Sequence, residues 1–578
     1  MATSTDPFPQ RLPTLDLLGV TDPSNVSSSQ VATEWLNAFS AAITQNDTAA
    51  VADLFLEDGF WKDVIALTWD FRTFEGRKDI KKLLDARLAA TGLHELRLLQ
   101  EPLNEPVLQK HGKGTAVVYL VPLPDSKWKA YTLLTCLDSL TDFPQKLGFL
   151  RNREADHGGW EEKRRQETEF SNNDPTVIVI GAGHNGLETA ARLKYIGYKK
   201  PRVGDSWRDR YKALCLHDTI WSNQTPYLNF PPTWPVYTPA AKDMQVFLEL
   251  DVWTASTIIK TSWNDSTKTW TVEVNRGGKG TRVLTVKHLV FATGSGGRPY
   301  VPDIPGKASF KGSAVHSSEF KSAANHVGKK AIVVGCCNSA HDIAQDFCSH
   351  GVDITMYQRS STFVISAESV AAMLGAVYKD DFPTELADIY NTSLPWAVVR
   401  RLHQRVVPMI AGTADKAILD GLAKVGFKTN LGLHGAGLFA LFLERGGGYY
   451  IDTGASKSII EGDIKIKNDS AIESFTKNGL RFADGTELQA DVIVFATGYG
   501  DPRDFMREVC GDEVASKITR VWGLDEEGQT AGVWRYCGHD GLWFANGNLG
   551  LSRFHSLHLA MQIKAIEEGI LNKADIVV

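Results

Sequence analysis

The chain has 578 residues, of which 43% are hydrophobic and 22% charged, a composition typical of globular protein with room for about two to four domains. A formal net charge of −6 argues against broad binding to nucleic acid or to anionic membranes. Seven cysteines without a CxxC pair give neither a disulfide framework nor a zinc site, so no metal is expected. Apolar runs such as Gly435–Leu443 fall far short of the ~20 residues that span a bilayer. The first residues, MATSTDPFPQ, have no signal-peptide pattern, and the expectation is a soluble cytoplasmic protein.

In chain order, residues 1–27 are rich in Pro, Ser, Thr and Asp and read as a flexible lead-in. A helical period then places Trp35, Phe39 and Ile43 on one face, breaks at Gln45-Asn46-Asp47, and resumes over Ala50–Phe55. Strand-like runs follow at Gly114–Leu123 and Tyr131–Ser139. Helices followed by strands predict a separate α+β domain over 28–150. Residues 151–175 are highly charged and read as a linker carrying a solvated helix.

From Thr176 the pattern changes to alternating strands and helices, which predicts an α/β fold with two Rossmann-like dinucleotide-binding domains. The strand Val177–Ile180 runs into Gly181-Ala-Gly183-His-Asn-Gly186. The first glycine permits the tight turn, the second lets backbone approach a pyrophosphate, and the third lets helix pack on strand. The helix start then offers free N–H groups and partial positive charge to phosphate. A second strand ending in an acid should follow. Instead, Tyr198-Lys-Lys-Pro-Arg-Val203 offers proline and cations, poor material for a buried strand, and Asp205 has no strand to present it.

The second unit reads Ala331–Val334 and then Gly335-Cys336-Cys337-Asn338-Ser339-Ala340, with a returning strand at Val352–Tyr357. Cys337 stands where a glycine is usual, and its Cβ is expected to weaken dinucleotide binding. Arg359 follows the returning strand, where a guanidinium can fork onto a ribose 2′-phosphate and favour NADPH. Two further strands end in the same tripeptide, at Thr293-Gly294 and Thr497-Gly498. Residues 366–446 are mostly helical and are expected to cover a substrate pocket. Two nucleotide units on one chain suggest electron transfer between two bound nucleotides.

From Thr176 to about Gly569 the chain resembles the flavin-containing monooxygenase family, in particular its fungal and plant branch. The match rests on the two glycine turns, on Phe310-x-Gly312-x-x-x-His316-x-x-x-Phe320 between them, on Gly204-Asp205-Ser-Trp207, on Trp221-Ser222-Asn223, on the two Thr-Gly pairs and on Tyr499. The segment Trp35–Gly76 resembles a cone-like NTF2/SnoaL-like domain. The resemblance implies FAD on Gly181, Gly183 and Gly186, with Gly204, Asp205, Trp207, Thr293, Gly294, Thr497, Gly498 and Asn546 close by. It implies NADPH on Gly335, Asn338, Ser339 and Arg359. Residues 176–325 and 447–578 would form the FAD-binding domain, and 326–446 the NADPH-binding domain with its helical insertion. Asn223 would orient the reaction beside the flavin, since the cofactor carries the hard chemistry. His316 is expected to brace the fold, His217 to pack on the flavin side, and Cys336 and Cys337 to be packing residues.

The activity so implied is transfer of one oxygen atom from O2 to a small organic substrate through a hydroperoxyflavin, with secondary metabolism as the setting. No nucleic acid or membrane is implied, and a homodimer is left open. Phe320, where Baeyer–Villiger enzymes carry Trp, points to heteroatom oxygenation, with Baeyer–Villiger or oxidative-decarboxylating chemistry as the alternative. The absent CxxC disfavours a disulfide reductase. The break after Gly197, with a second shortening around Lys242–Leu250, keeps two other readings open. One is an impaired homologue that binds a ligand or partner through its N-terminal domain. The other is a gene model lacking a coding segment.

Overall fold

A computed structural model describes residues 11–21, 26–99, 107–109, 112–150, 160–171, 173–196, 217–227, 229–230, 235–237, 252–294 and 297–571. The stretch after Gly197 and the 242–250 shortening lie outside the described residues, as do Gly204, Asp205 and Trp207.

The N-terminal unit opens with helices α1 (Ser28–Thr44) and α2 (Thr48–Asp53). Ser27 and Asp47 cap them by accepting from the N–H of Gln30 and of Ala50, so the polar break is a helix-cap device. The sheet strands are β1 (Phe55–Val64), β2 (Phe71–Glu75), β3 (Val107–Gln109), β4 (Gly112–Pro122) and β5 (Trp128–Leu140), with helix α3 (Gly76–Thr91) after β2. Their order is β2-β1-β5-β4-β3, antiparallel except for the parallel β1–β5 pair. Trp35 and Phe39 of α1 meet Phe55 and Trp61 of β1, which closes the core between helix and sheet. Helix α2 therefore ends before Phe55, where a strand begins.

This unit is not a bead on a linker. Val64, Phe71, Leu134 and Leu137 belong to one apolar cluster with Trp522, Trp534 and Leu559 near the other end of the chain. Arg535 forks onto Asp70 through Nε and Nη2, both at 2.7 Å. Arg72 pairs with Glu527 at 2.8 Å. Helix α4 (Trp160–Glu169), within the expected linker, is also tied down, ending in an ion pair between Glu169 and Arg276.

The first nucleotide unit has β6 (Val177–Ile180), α5 (His184–Tyr195), an antiparallel meander β7 (Thr257–Asn264), β8 (Thr269–Asn275), β9 (Thr281–Val286), and then β10 (His288–Phe291). The second has β11 (Ser313–His316), β12 (Lys330–Val334), α6 (Asn338–Ser349) and β13 (Asp353–Tyr357). The helical insertion comprises β14 (Thr362–Ser366), α7 (Ala367–Leu374), α8 (Thr384–Thr392), α9 (Trp396–Gly412), α10 (Lys416–Lys424), β15 (Thr429–Asn430), α11 (Gly437–Arg445) and β16 (Tyr449–Asp452). After it come α12 (Ala455–Glu461), β17 (Ile464–Lys467), a meander β18 (Ile472–Thr476), β19 (Gly479–Phe482), β20 (Glu487–Gln489), and β21 (Val492–Phe495). Helices α13 (Asp504–Cys510) and α14 (Asp512–Lys517), strand β22 (Leu542–Phe544) and helix α15 (Leu549–Glu567) complete the order.

Two parallel sheets carry the two turns. The first has the order β22-β10-β6 and the second β11-β21-β12-β13-β17. The sequence boundaries at 325/326 and 446/447 do not follow these sheets. Strands β11, β17 and β21, which fall in the stretches expected to form the FAD-binding domain, pair in the second sheet. The physical reason is burial. Val492–Phe495 is apolar throughout and buried on both faces, so it needs a central place between two other parallel strands.

Candidate active site

Each turn is built around glycines that no other residue replaces. Gly181 has φ +107°, and a Cβ there would lie 2.3 Å from the Ala292 carbonyl oxygen. A Cβ on Gly186 would lie 1.9 Å from the carbonyl oxygen of Gly181. Gly183 precedes α5 with extended backbone and no side-chain cap, which leaves the first helical N–H groups for an anion. In the second unit Gly335 has φ +130°, with a Cβ position 2.4 Å from the Ala496 carbonyl oxygen. Cys337 precedes α6 with φ −104°, a conformation open to any L-residue. Burial pushes its thiol pKa up, and the sulfur lies against the backbone of Gly448 and Tyr449.

Two cavities collect the residues singled out from sequence. One, of about 500 Å³, runs along β6 and is lined by Gly181, Gly186, Thr293, Trp253 and Phe505. The other, of about 360 Å³, is lined by Asn223, Asn338, His217 and Asn548 together with apolar residues of the helical insertion. Helices α7, α8, α9 and α11 of the 366–446 stretch contribute to the wall of this second cavity. Gly294, Arg359 and Gly498 are exposed, and Arg359 makes no ion pair among the described residues. Ser339 sits half-buried in the first turn of α6.

Asn223 is buried and donates from Nδ2 to the Asp218 carbonyl at 3.0 Å. Asn338 accepts the Ile451 N–H at 2.9 Å, tying α6 to β16. Thr497 donates its hydroxyl to the Tyr300 carbonyl. The signature histidine is a brace: His316 Nε2 meets the Gly498 carbonyl at 3.0 Å and Nδ1 meets the Ser318 hydroxyl at 2.9 Å. A carbonyl can only accept, so Nε2 carries the proton, and burial lowers the ring's pKa. Phe320 packs in the second core with its ring 5.1 Å from that of Phe347.

Asn546 is 3% exposed, and neither its Oδ1 nor its Nδ2 has a partner among the described residues. A buried amide left with both groups unpaired is costly, and the edge of a bound heterocycle is the kind of group that would satisfy it. That orphaned amide and the uncapped glycine turns fit a bound flavin dinucleotide.

Sequence reasoning missed two features. His217 Nε2 lies 3.3 Å from Asp342 Oδ1. Burial opposes its charge, yet the carboxylate holds the imidazole pKa above its ordinary value. Arg553, fully buried in α15, donates to the carbonyls of Ser222 at 2.8 Å and Gln224 at 2.6 Å, so it grips the turn that carries Asn223. No local pattern in Ser552-Arg-Phe-His555 announces that contact.

Residues 234–521 match the model of the flavin-binding monooxygenase-like family. The indole-3-pyruvate monooxygenase YUCCA1 of Oryza sativa subsp. japonica is 30% identical over 339 residues, which cover 56% of this chain and 77% of that protein. The probable indole-3-pyruvate monooxygenase YUCCA4 of Arabidopsis thaliana is 28% identical over 352 residues, covering 58% and 78%. Among solved structures, a flavin-containing monooxygenase from Stenotrophomonas maltophilia has a TM-score of 0.45 at 16% identity, covering 68% of this chain and 99% of that one. Cyclohexanone monooxygenase from Rhodococcus sp. Phi1 bound to NADP+ has a TM-score of 0.45 at 15% identity, covering 68% and 85%. No helix among the described residues is long and apolar enough to cross a membrane. The chain belongs to the flavin-binding monooxygenase-like family, whose members named here are monooxygenases.

Proposed function

We propose that this chain is an FAD-dependent, NADPH-using monooxygenase that inserts one oxygen atom from O2 into a small organic substrate. One observation carries the reading. The cavity lined by Asn223 also touches Asn338 at the start of α6 and Asn548 at the N-cap of α15, so a single cavity adjoins both nucleotide units.

Gly181, Gly183 and Gly186 would hold the FAD pyrophosphate, and the cavity along β6 would take the neighbouring part of the dinucleotide. Gly335 and the first turn of α6 would hold the NADPH pyrophosphate, with Arg359 on the 2′-phosphate. The flavin, when bound, supplies the oxygen activation. The protein's own part is positioning. Arg553 fixes the Ser222–Gln224 turn, Asn223 presents an amide to the cavity, and the insertion supplies apolar wall for the substrate body. Phe320 and Phe495-Ala-Thr-Gly-Tyr499 favour heteroatom oxygenation. The named relatives act on indole-3-pyruvate, which supports oxidative decarboxylation as the second reading. We further infer an NTF2/SnoaL-like N-terminal domain, supported by three helices packed on one five-stranded sheet.

The test is the visible spectrum of the purified chain. Bound oxidised flavin, bleached by NADPH under nitrogen and restored by air, is the expected result. A protein that stays colourless after FAD is added would sink the proposal.

A further inference from the structure

The cavity lined by Asn223 is closed in part by the N-terminal unit, through Lys62 of β1. This lysine is 9% exposed. Its ammonium donates to the carbonyls of Thr392 at 2.6 Å and Leu394 at 3.4 Å, at the end of α8. Among the described residues no carboxylate pairs with it. The carboxylates that line the same cavity are engaged elsewhere. Asp388 is held by Arg553 and by the Tyr378 hydroxyl, and Asp218 lies beside His217. His555, also on the cavity wall, can be no counter-ion, since an imidazole is neutral or cationic; burial and the neighbouring His558 and Lys62 hold its pKa well down, and its Nδ1 has no partner among the described residues.

A buried cation without an anion is costly, and two neutral carbonyls do not neutralise it. Burial accordingly lowers the Lys62 pKa to about 8, so at neutral pH the charge is present and poorly compensated. Apolar side chains form much of the wall beside it, among them Met373, Leu374, Trp396, Leu438, Phe439 and Phe442. A volume of about 360 Å³ suits a small molecule with an apolar body. We propose that Lys62 is a substrate-binding residue supplied by the N-terminal domain, which selects an apolar substrate bearing one carboxylate. This deepens the reading of the cavity as the active site. The N-terminal domain thereby adds an ammonium to the pocket wall, whose His217 is already engaged with Asp342.

The experiment is isothermal titration calorimetry of the full chain with 3-phenylpropionate and with its neutral amide, 3-phenylpropionamide. The native chain should bind the carboxylate at least about tenfold more tightly than the amide, as a charge-assisted hydrogen bond warrants. Lys62→Met should abolish that preference and leave amide binding unchanged, while Lys62→Arg should keep it. Should K62M fail to fold, Lys62→Gln can still donate to the two carbonyls and carries the same comparison. A native chain that binds neither probe, or shows no preference, overturns the proposal, as does a K62M chain that keeps the preference. Binding needs no flavin turnover. A Lys62-dependent preference in a chain that never takes up flavin would therefore retain this inference and defeat the monooxygenase reading.

Discussion

Arg553 and Asp388 form a buried two-pronged ion pair, Nε to Oδ2 at 2.7 Å and Nη2 to Oδ1, that joins α15 to α8 of the helical insertion. The same guanidinium holds the Asn223 turn, so one residue fixes the helical insertion, the C-terminal helix and the candidate catalytic amide together. Removing one partner of a buried pair strands the other charge. Asp388→Asn should cost about 3 kcal/mol or more of stability, read from urea unfolding, whereas replacing both residues by apolar ones of similar size should cost less. Equal losses in the single and double variants would contradict this account.

Gly186→Ala would place a methyl group 1.9 Å from the Gly181 carbonyl oxygen, at the point where α5 meets the end of β6. Nothing flexible can yield there, because the obstacle is backbone. Helix and strand must move apart, at a cost of about 1–3 kcal/mol, and the phosphate-binding N–H groups move with them. The expected outcome is a folded protein that has lost its visible flavin absorbance. A variant that purified with flavin at the native stoichiometry would refute the assignment of this turn.

Much of this was legible in sequence because it rests on local rules. Glycine spacing, the apolar runs before each turn and the α1 face all arise from short-range sterics and periodicity, and α1, β4, β5, β6 and β12 appear close to where those rules put them. What escaped is long-range. Strand β1 reads Phe55-Leu-Glu-Asp-Gly-Phe-Trp-Lys-Asp-Val64, and its charges at Lys62 and Asp63 break any apolar alternation. Those charges are buried only because other segments supply partners: Thr135 and Thr68 for Asp63, and the end of α8 for Lys62. Likewise Asp70 and Arg535 are 465 residues apart, and nothing local pairs them. Arg553 escaped for the same reason.

Arg359 lies just past β13, exposed and without an ion pair among the described residues. A guanidinium free of internal partners is available to a 2′-phosphate. Arg359→Ala should raise KM for NADPH about 10- to 100-fold, the range of a lost charge-assisted contact, and leave KM for NADH nearly unchanged. Cys337→Gly should move the NADPH constant the other way. The residue's φ of −104° needs no glycine, and the substitution removes the Cβ expected to crowd an approaching pyrophosphate together with the sulfur that lies against Gly448 and Tyr449. Steady-state NADPH and NADH oxidation measures both, and a matched rise for the two nucleotides in Arg359→Ala would rule out the 2′-phosphate contact.

Glu188 lies on the buried face of α5 with no exposed surface, and burial raises its pKa from an ordinary 4.5 to about 8, against the lowering effects of Ser552, Arg553 and Arg192. Between those two values the folded chain keeps a proton that the unfolded chain has released. Folding then becomes less favourable as pH rises through the window, by about 1.4 kcal/mol per pH unit for this one proton, and the loss is complete above about pH 8. Glu188→Gln carries no such proton. Its stability relative to the native chain should therefore grow steadily between about pH 5 and pH 8, the interval set by the two pKa values. Urea unfolding of both proteins at several pH values across that window measures the difference directly. A stability gap that stays constant with pH would show that Glu188 is ionised in the fold, and that Arg553 and Arg192 outweigh its burial.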